Sequence, residues 1–461
     1  MRWNHLINSK TFVNTTFLYS NFKYGFRLDN YQGGFDWDSN LKNYSIKVDY
    51  SHYKNPTTEV NFGYSFIWHH FSPAKIDPVN ERIIFNPIRL TTENALEQGI
   101  YFAVNKDFNA KLALNAGMRI SMFHNLGPGE YLEYANGMPR TGAHVVDTIH
   151  YNDFDLINGE LGIEPRITVR YSVSDKTSLK ASYNRNKQYL HVFTTNNIGF
   201  PGDRYKPSDP HIKPQVSNQW TLGYFSSIGK KFLLTAEIYY RHTSNLPELT
   251  NEPNAVISSN IEQQISLGKG WSYGLELALR KNLGKTTGWL SYTWSKAWNK
   301  IPGLNGGNKF HPFYDRTHDI NLVLSHQLNK RINVSANWVY SSGQAISLPI
   351  GRYVVDGKNI PRFDDHNLNG DRGPAYHRLD LSMTLKGKNK KNRKWHGSWN
   401  FALYNIYFRK NAIGIQYRDV INGDPNIQED DQSVVVKHRE FKAVSTYLFQ
   451  FVPSITYNFK F

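Results

Sequence analysis

The 461-residue sequence predicts an all-β fold, a transmembrane antiparallel β-barrel, on three observations. Apolar and polar residues alternate along almost the whole chain. The spacers between alternating segments are short and long in turn. The last segment ends on a row of aromatic and aliphatic side chains. Alternation is diagnostic because a strand sends successive side chains to opposite faces, whereas a helix mixes odd and even positions on one face.

Composition narrows the classes. Aromatic residues make up 15% of the chain, with 29 Tyr, 27 Phe and 11 Trp, yet hydrophobic residues reach only 39% and mean hydropathy is -0.57. A disordered chain would be poor in rings, and a helical membrane protein would need runs of about 18 apolar residues. Neither description fits. The absence of cysteine excludes disulfide scaffolds, thiolate metal centres and cysteine nucleophiles, and leaves the redox compartment open. A net charge of +16 raises nucleic acid or an anionic surface as a partner, so the placement of the cations has to decide. The opening residues, Met1 to Asn8, have no apolar stretch and no small-residue cleavage site, and do not read as a signal peptide.

The strands follow in order. Tyr44, Ile46, Val48 and Tyr50 form one face against Asn43, Ser45, Lys47 and Asp49. Further on, Trp271, Tyr273, Leu275, Leu277 and Leu279 oppose Ser272, Gly274, Glu276, Ala278 and Arg280. The same separation holds over residues 332–341 and 378–385. Marking every such segment predicts about 17 strands. Short spacers fall at residues 8–10, 55–57, 109–110, 175–176, 229–231, 284–285, 329–331 and 387–394. Long connections, rich in Gly, Pro, Asn and Asp, are predicted at 30–39, 72–91, 127–158, 195–214, 246–268, 300–312, 344–374 and 410–442.

One trimmed and one elaborated end, with an apolar face on one side and a polar face on the other, are the marks of an outer-membrane barrel. A soluble propeller would repeat a motif blade by blade, and no such repeat is visible. Trp289, Tyr292, Trp294 and Trp298, with Tyr239 and Tyr240, read as an aromatic girdle. In the last strand Phe449, Phe451, Pro453, Ile455, Tyr457, Phe459 and Phe461 share one face, opposite Gln450, Ser454, Thr456, Asn458 and Lys460.

Six phrases then resemble one family in order: GLELALRK from Gly274, TGWLSYTWSK from Thr287, YDRTHDINL from Tyr314, ANWVYSSG from Ala336, PAYHRLD from Pro374 and LYNIYFRKN from Leu403. They are similar to the C-terminal barrel of TonB-dependent outer-membrane receptors, more narrowly the Bacteroidetes type, over nearly all of residues 1–461. The resemblance implies a 22-stranded barrel, an N-terminal plug and a TonB box. Parity excludes the first strand here as strand one of that barrel, and counting back from the last strand as number 22 makes it the sixth, so the expectation is that plug and first strands are missing. It also implies that Tyr457, Phe459 and Phe461 are the signal read by the barrel-assembly machinery.

Chemistry is sparse. Lys47, Asp49, Glu237, Arg241, Glu276, Arg280, Asp319, Arg378 and Asp380 are expected on the lumen face, as structural ion pairs, plug contacts or substrate contacts. Residues 365–371 match the opening of an EF-hand loop, but Tyr376 stands where a bidentate Glu is needed, and turn chemistry accounts for the string. His69 and His70, and His311, His318 and His326, lack the convergence of a zinc site and are expected at the surface or rim. Asp315, Thr317, His318 and Asp319 have the residue types of a hydrolase triad, but neighbours on a strand point apart. Neither a nucleophile elbow nor a phosphate loop is visible. The expectation is no enzyme, no cofactor and no resident metal. The basic excess lies beside the short turns and is too dispersed for nucleic acid.

The expected function is TonB-dependent uptake of a scarce nutrient, a siderophore, metal complex, cobalamin or glycan, at the cell outer membrane. Its expected partners are outer-membrane lipid and lipopolysaccharide, the barrel-assembly machinery, the TonB complex through the N-terminal region, a small nutrient ligand and a surface lipoprotein. Tyr131, Tyr134, Arg140, Arg352, Tyr353 and Arg362, in the two long connections 127–158 and 344–374, are the candidate ligand contacts. A soluble β-rich binding or carbohydrate-processing protein and a passive porin-like channel are the alternative readings.

Overall fold

The computed structural model describes the chain except residues 31–32, 80–85, 194–202, 251–257, 356–357, 389–395, 422–438 and 461. Its wall strands are β1 (Arg2–Asn8), β2 (Thr11–Asn30), β3 (Gly33–Asn55), β4 (Thr58–Pro78), β5 (Glu93–Asp107) and β6 (Leu112–Leu126). They continue as β7 (Leu156–Ser174), β8 (Thr177–Gln188), β9 (Gln215–Ile228), β10 (Phe232–Leu249), β11 (Ile265–Lys281) and β12 (Thr286–Lys300). The last are β13 (His318–Gln327), β14 (Ile332–Ser341), β15 (Tyr376–Lys386), β16 (His396–Tyr404) and β17 (Val452–Lys460). With the two-residue strand Ile88–Arg89 they belong to one 18-stranded sheet. Helical turns among the described residues are short 3-10 segments, and no helix is long and apolar enough to cross a membrane.

Two compact units divide the chain. The first is Met1–Ser226 with Ala236–Tyr273 and Trp298–Lys309; the second is Ser227–Thr235 with Gly274–Ala297 and Phe310–Phe461.

In the first unit, antiparallel register carries one row across five strands: Val48, Tyr64, Ile100, Ile120 and Ile163 stand opposite one another. Ile100 and Ile163 are more than half exposed, as side chains that face hydrocarbon are in a protein without its lipid. The adjacent row on the other face is Lys47, Ser65, Gly99, Ser121 and Gly162, and the next is Asp49, Gly63, Tyr101, Arg119 and Glu164. The second unit repeats the division. Leu290, Leu322, Trp338 and Leu379 form one row, and Trp289, Val323, Asn337 and Asp380 the next on the opposite face.

Several expectations are corrected. Residues 33–39 and 72–78 belong to strands, because β2, β3 and β4 run for 20, 23 and 21 residues, roughly twice the 9 to 11 that cross a bilayer. Hydrogen-bonded pairing continues past the bilayer span, where Gly and Asp composition suggested a loop, and Trp37, Ala74 and Ile76 are buried there. Trp289 does not share a girdle with Tyr292 and Trp294: its register partner is Val323, in the row of Asn337 and Asp380. Tyr239 and Tyr240, as strand neighbours, point apart, and Tyr240 is the exposed one. Phe449 and Phe451 precede β17 and so are outside its alternation, and Phe451 stacks on Phe408 at 4.6 Å. Tyr457 and Phe459 do alternate outward on β17, while Phe461 lies outside the described residues. His69 is buried, not at the surface or rim, with Nδ1 2.8 Å from the side-chain oxygen of Asn43, because β4 sends it to the polar face.

Candidate functional site: the outer connections and the polar face

The polar face of the first unit is close-packed around small residues. A Cβ on Gly99 would lie 2.6 Å from Arg119 Nε, and one on Gly63 2.6 Å from the Tyr101 ring. Room left by glycine lets Arg119 reach Glu97 at 3.0 Å and lets the Tyr101 hydroxyl donate to Asp49 at 2.5 Å. Lys47 completes that corner, 2.9 Å from Asp49.

The connection between β8 and β9 turns onto this face. Tyr189 stacks on Phe123, and its hydroxyl lies 2.7 Å from Ser121 Oγ, which donates to Glu164 at 2.7 Å. A short hairpin pairs Leu190–Phe193 with Arg204–Pro207. Lys206 from this hairpin sits 2.7 Å from Glu93 and 3.1 Å from Asp209, and Asn125 donates to the Ser208 carbonyl at 2.9 Å. Burial opposes the charge on Lys206, but the two carboxylates override it and raise its pKa. Burial likewise opposes the charge on Asp209, yet Lys206 and the amides of Ile212 and His211 hold its carboxyl below the usual range. His191, hydrogen bonded to Ser208 at 2.9 Å, is pushed down to about 4 by burial.

A second layer joins the neighbouring connections. The hairpin of Gly129–Tyr134 with Val145–Tyr151 lays Tyr131 on His211, with ring centroids 4.5 Å apart. The Tyr134 hydroxyl donates to Glu262 at 2.8 Å and accepts from Gln263, and burial pushes its pKa up to about 12. Arg140 donates to the carbonyls of His211 at 3.1 Å and Ile265 at 2.7 Å. Beneath them Trp37, Ile76, Leu90, Phe193, Ile212 and Ile261 form a buried apolar cluster. Four connections thus close into one cap, and Tyr131, Tyr134 and Arg140 hold it together.

In the second unit, Asp315 organises the corresponding region. Its carboxylate accepts from the Ala297 amide at 2.6 Å and from Arg372 at 2.6 Å, and His311 lies 3.3 Å away. Asn369, inside the EF-hand-like string, has φ +52°, takes a bond from its amide to Ser347 Oγ and donates to the His311 carbonyl at 3.0 Å. Turn geometry accounts for that string, and no group of three potential metal ligands occurs among the described residues. Ser342 Oγ accepts from the amides of Thr317 and His318, His318 stacks on Tyr292, and Asp315 is held by Ala297 and Arg372, so these residues have separate partners. Arg352 and Tyr353 lie on the hairpin Gly351–Val355 with Lys358–Arg362, where Tyr353 is half exposed. The lumen set is brought together only in part. Arg378 contacts Asp380 at 3.0 Å and the Tyr376 and Tyr404 hydroxyls at 2.9 and 2.8 Å, and Asp319 shares a register row with Ser341 and Tyr376. Glu237 lies beside Gly223 and Arg241 donates to Gln219, while Glu276 and Arg280 alternate with the exposed Tyr273 and Leu279.

His191, Lys206, Asp209, His211 and Glu262 were not anticipated. Their strongest sequence signal is Asp209 before Pro210, a turn-forming pair: the carboxylate accepts the amides of His211 and Ile212 at 2.8 and 2.7 Å.

Polar lumen face, lipid-facing aliphatic rows and folded outer connections define an outer-membrane type of β-barrel. The chain belongs to the family described as TonB dependent receptor-like, beta-barrel, whose model matches residues 2–406. No curated protein matches it in sequence. Among solved structures it resembles the ferric-catecholate import receptor Fiu of E. coli K12, at 16% identity, over 89% of this chain and 60% of that one, with a TM-score of 0.56. The ferric citrate transporter FecA matches at 13% identity over 99% and 60%, TM-score 0.61. The ferric yersiniabactin uptake receptor FyuA of Yersinia pestis matches at 12% identity over 98% and 60%, TM-score 0.59. The chain therefore spans about three fifths of the length of these structures.

Proposed function

We propose that this barrel serves an outer-membrane receptor that binds a scarce nutrient from outside the cell and imports it with energy from the TonB complex. The observation that carries the reading is the cap of interlocked outer connections above a charged, polar wall. Such a cap presents hydrogen-bonding and aromatic side chains to a ligand at the mouth of a lumen. Ferric citrate, ferric catecholate and ferric yersiniabactin in the names of the structural neighbours favour an iron chelate as the first cargo to test, ahead of cobalamin and glycan. The phrases quoted above support the Bacteroidetes type, and with it a surface lipoprotein as companion. The role is transport, without catalysis. Lipopolysaccharide and the assembly machinery that would read Tyr457 and Phe459 are the further partners. We assign ligand contact first to Arg352, Tyr353 and Arg362 on the hairpin Gly351–Val355 with Lys358–Arg362, and next to Tyr131, Tyr134 and Arg140.

Deletion of 127–158 or 344–374 from the receptor carrying this barrel is expected to weaken binding of ferric chelates, followed by fluorescence quenching, while a heat-modifiable barrel still forms. Undiminished binding in both deletions would remove the outer connections from recognition. Recovery of the protein in the soluble fraction without detergent would overturn the membrane reading and favour the soluble β-rich alternative. Ligand-independent passage of small solutes through the intact receptor would favour a passive channel.

A further inference from the structure

The positive charge is concentrated on the arc of short turns in the second unit. Counted from the last residue of one strand to the first of the next, the eight short turns carry a net +13, and the eight long connections a net -3. Among the short turns the division is equally sharp. The four of the first unit, at 8–11, 55–58, 107–112 and 174–177, sum to +1. The four of the second unit hold Lys230 and Lys231, Lys281 and Lys285, Lys330 and Arg331, then Lys386 and Lys388, with no acidic residue among the described residues of those turns.

These four turns lie side by side. The Asn282 amide donates to the Lys231 carbonyl at 3.2 Å, the Gln327 amide to the Lys285 carbonyl at 2.8 Å and the Lys386 amide to the Arg331 carbonyl at 2.8 Å. Arg331 Nε also reaches back to the Lys386 carbonyl at 2.9 Å. None of the eight cations forms an ion pair with a carboxylate among the described residues, and all but Lys281 are exposed. Each of the first three turns also exposes an apolar side chain: Ile228 is 51% accessible, Leu283 54% and Leu328 54%. Lys281 leans over the Phe232 ring at 5.8 Å. An apolar side chain beside two unpaired cations, repeated in consecutive turns, suits the boundary between hydrocarbon and phosphate better than open water.

We propose that this arc is a docking collar for anionic phospholipid headgroups. Short turns of such barrels face the periplasm, so the collar meets the phospholipid leaflet, with Ile228, Leu283 and Leu328 dipping among the acyl chains and the cations pairing with phosphates. The inference rests on the outer-membrane reading given above. It predicts that anionic lipid gathers at the turns of the second unit and not at those of the first, which are almost neutral.

The test uses the full chain refolded into phosphatidylcholine vesicles with a trace of spin-labelled phosphatidylglycerol or spin-labelled phosphatidylcholine. The electron spin resonance fraction of immobilised label gives the relative association of the two lipids. We expect phosphatidylglycerol to be favoured at least about threefold, with the preference falling as salt is added. The variant K230Q/K231Q/K285Q/K330Q is expected to lose most of this preference, and K10Q/K54Q/K111Q/K176Q, which removes three cations from the turns of the first unit and one from the strand end beside them, to keep it. Insertion without lipid preference overturns the collar alone, as does equal loss in the two variants. Failure of the wild-type chain to float with phosphatidylcholine vesicles overturns the barrel reading and the collar together.

Discussion

Tyr189 lies flat on Phe123, with ring centroids 4.8 Å apart and planes within 1° of parallel. Phe123 belongs to the polar face of β6, and Tyr189 begins the connection after β8, so the pair marks where an outer connection turns onto the wall. Gly162 makes the stack possible, since a Cβ there would stand 2.5 Å from the Tyr189 hydroxyl and 2.3 Å from Ser121 Oγ. Gly162→Ala is expected to dislodge Tyr189 at a cost of about 1–3 kcal/mol, the usual range for overpacking. Hydrogen exchange over residues 189–193 reads this directly, and unchanged protection would mean that the stack does not hold the connection.

Acid should loosen the same connection through His191. Burial lowers its pKa to about 4, against 6.5 when exposed, so the neutral ring is favoured by folding. Its contribution is therefore complete above pH 6.5 and lost as pH falls through 4. A difference of that size corresponds to about 3 kcal/mol. Amide protection over 189–193 and 203–212, corrected for intrinsic exchange at each pH, should fall across this window in the native protein and much less in His191→Gln. A flat profile in the native protein would contradict the assignment.

Asp315 should be costly to lose. It is 3% exposed and accepts bonds from Ala297 and Arg372, joining the connection after β12 to residues 371–372. Asp315→Ala leaves the Ala297 amide and the partly exposed Arg372 guanidinium without their acceptor, for which about 1–3 kcal/mol is typical. Limited proteolysis within 344–374 should accelerate while the wall strands stay protected. Rates equal to wild type would show that Arg372 finds another partner.

Neighbouring residues of β13 test the two faces. Leu322 stands in the row of Leu290, Trp338 and Leu379, and Asn321 on the opposite face donates to Asp319 at 2.5 Å. Leu322→Arg should destabilise the inserted barrel by about 2–4 kcal/mol if it lies near the midplane, and Asn321→Arg by much less. Equal costs in a refolding titration in lipid would reverse the assignment of faces.

Strand number and facing were legible because both depend on a period of two that each residue expresses locally. The seventeen wall strands, the eight short turns and the polar placement of Lys47, Asp49, Asp319, Arg378 and Asp380 follow from it. Parity separates Trp289 from Tyr292 and Trp294, but it holds only within a strand, and Phe449 and Phe451 precede Val452, the first residue of β17. Strand ends were less legible, because β2 to β4 keep pairing beyond the bilayer through residues whose composition also suits loops.

By itself, then, the amino-acid order determined a membrane barrel with one trimmed rim and the family to which it belongs. Tertiary structure alone decided what the outer connections do. Lys206 meets Glu93 across 113 positions of sequence, and the Tyr134 hydroxyl meets Glu262 across 128. Such pairs have no period and no spacing rule. They form because a buried charge is tolerable only beside its opposite, and only the folded chain brings the two within reach.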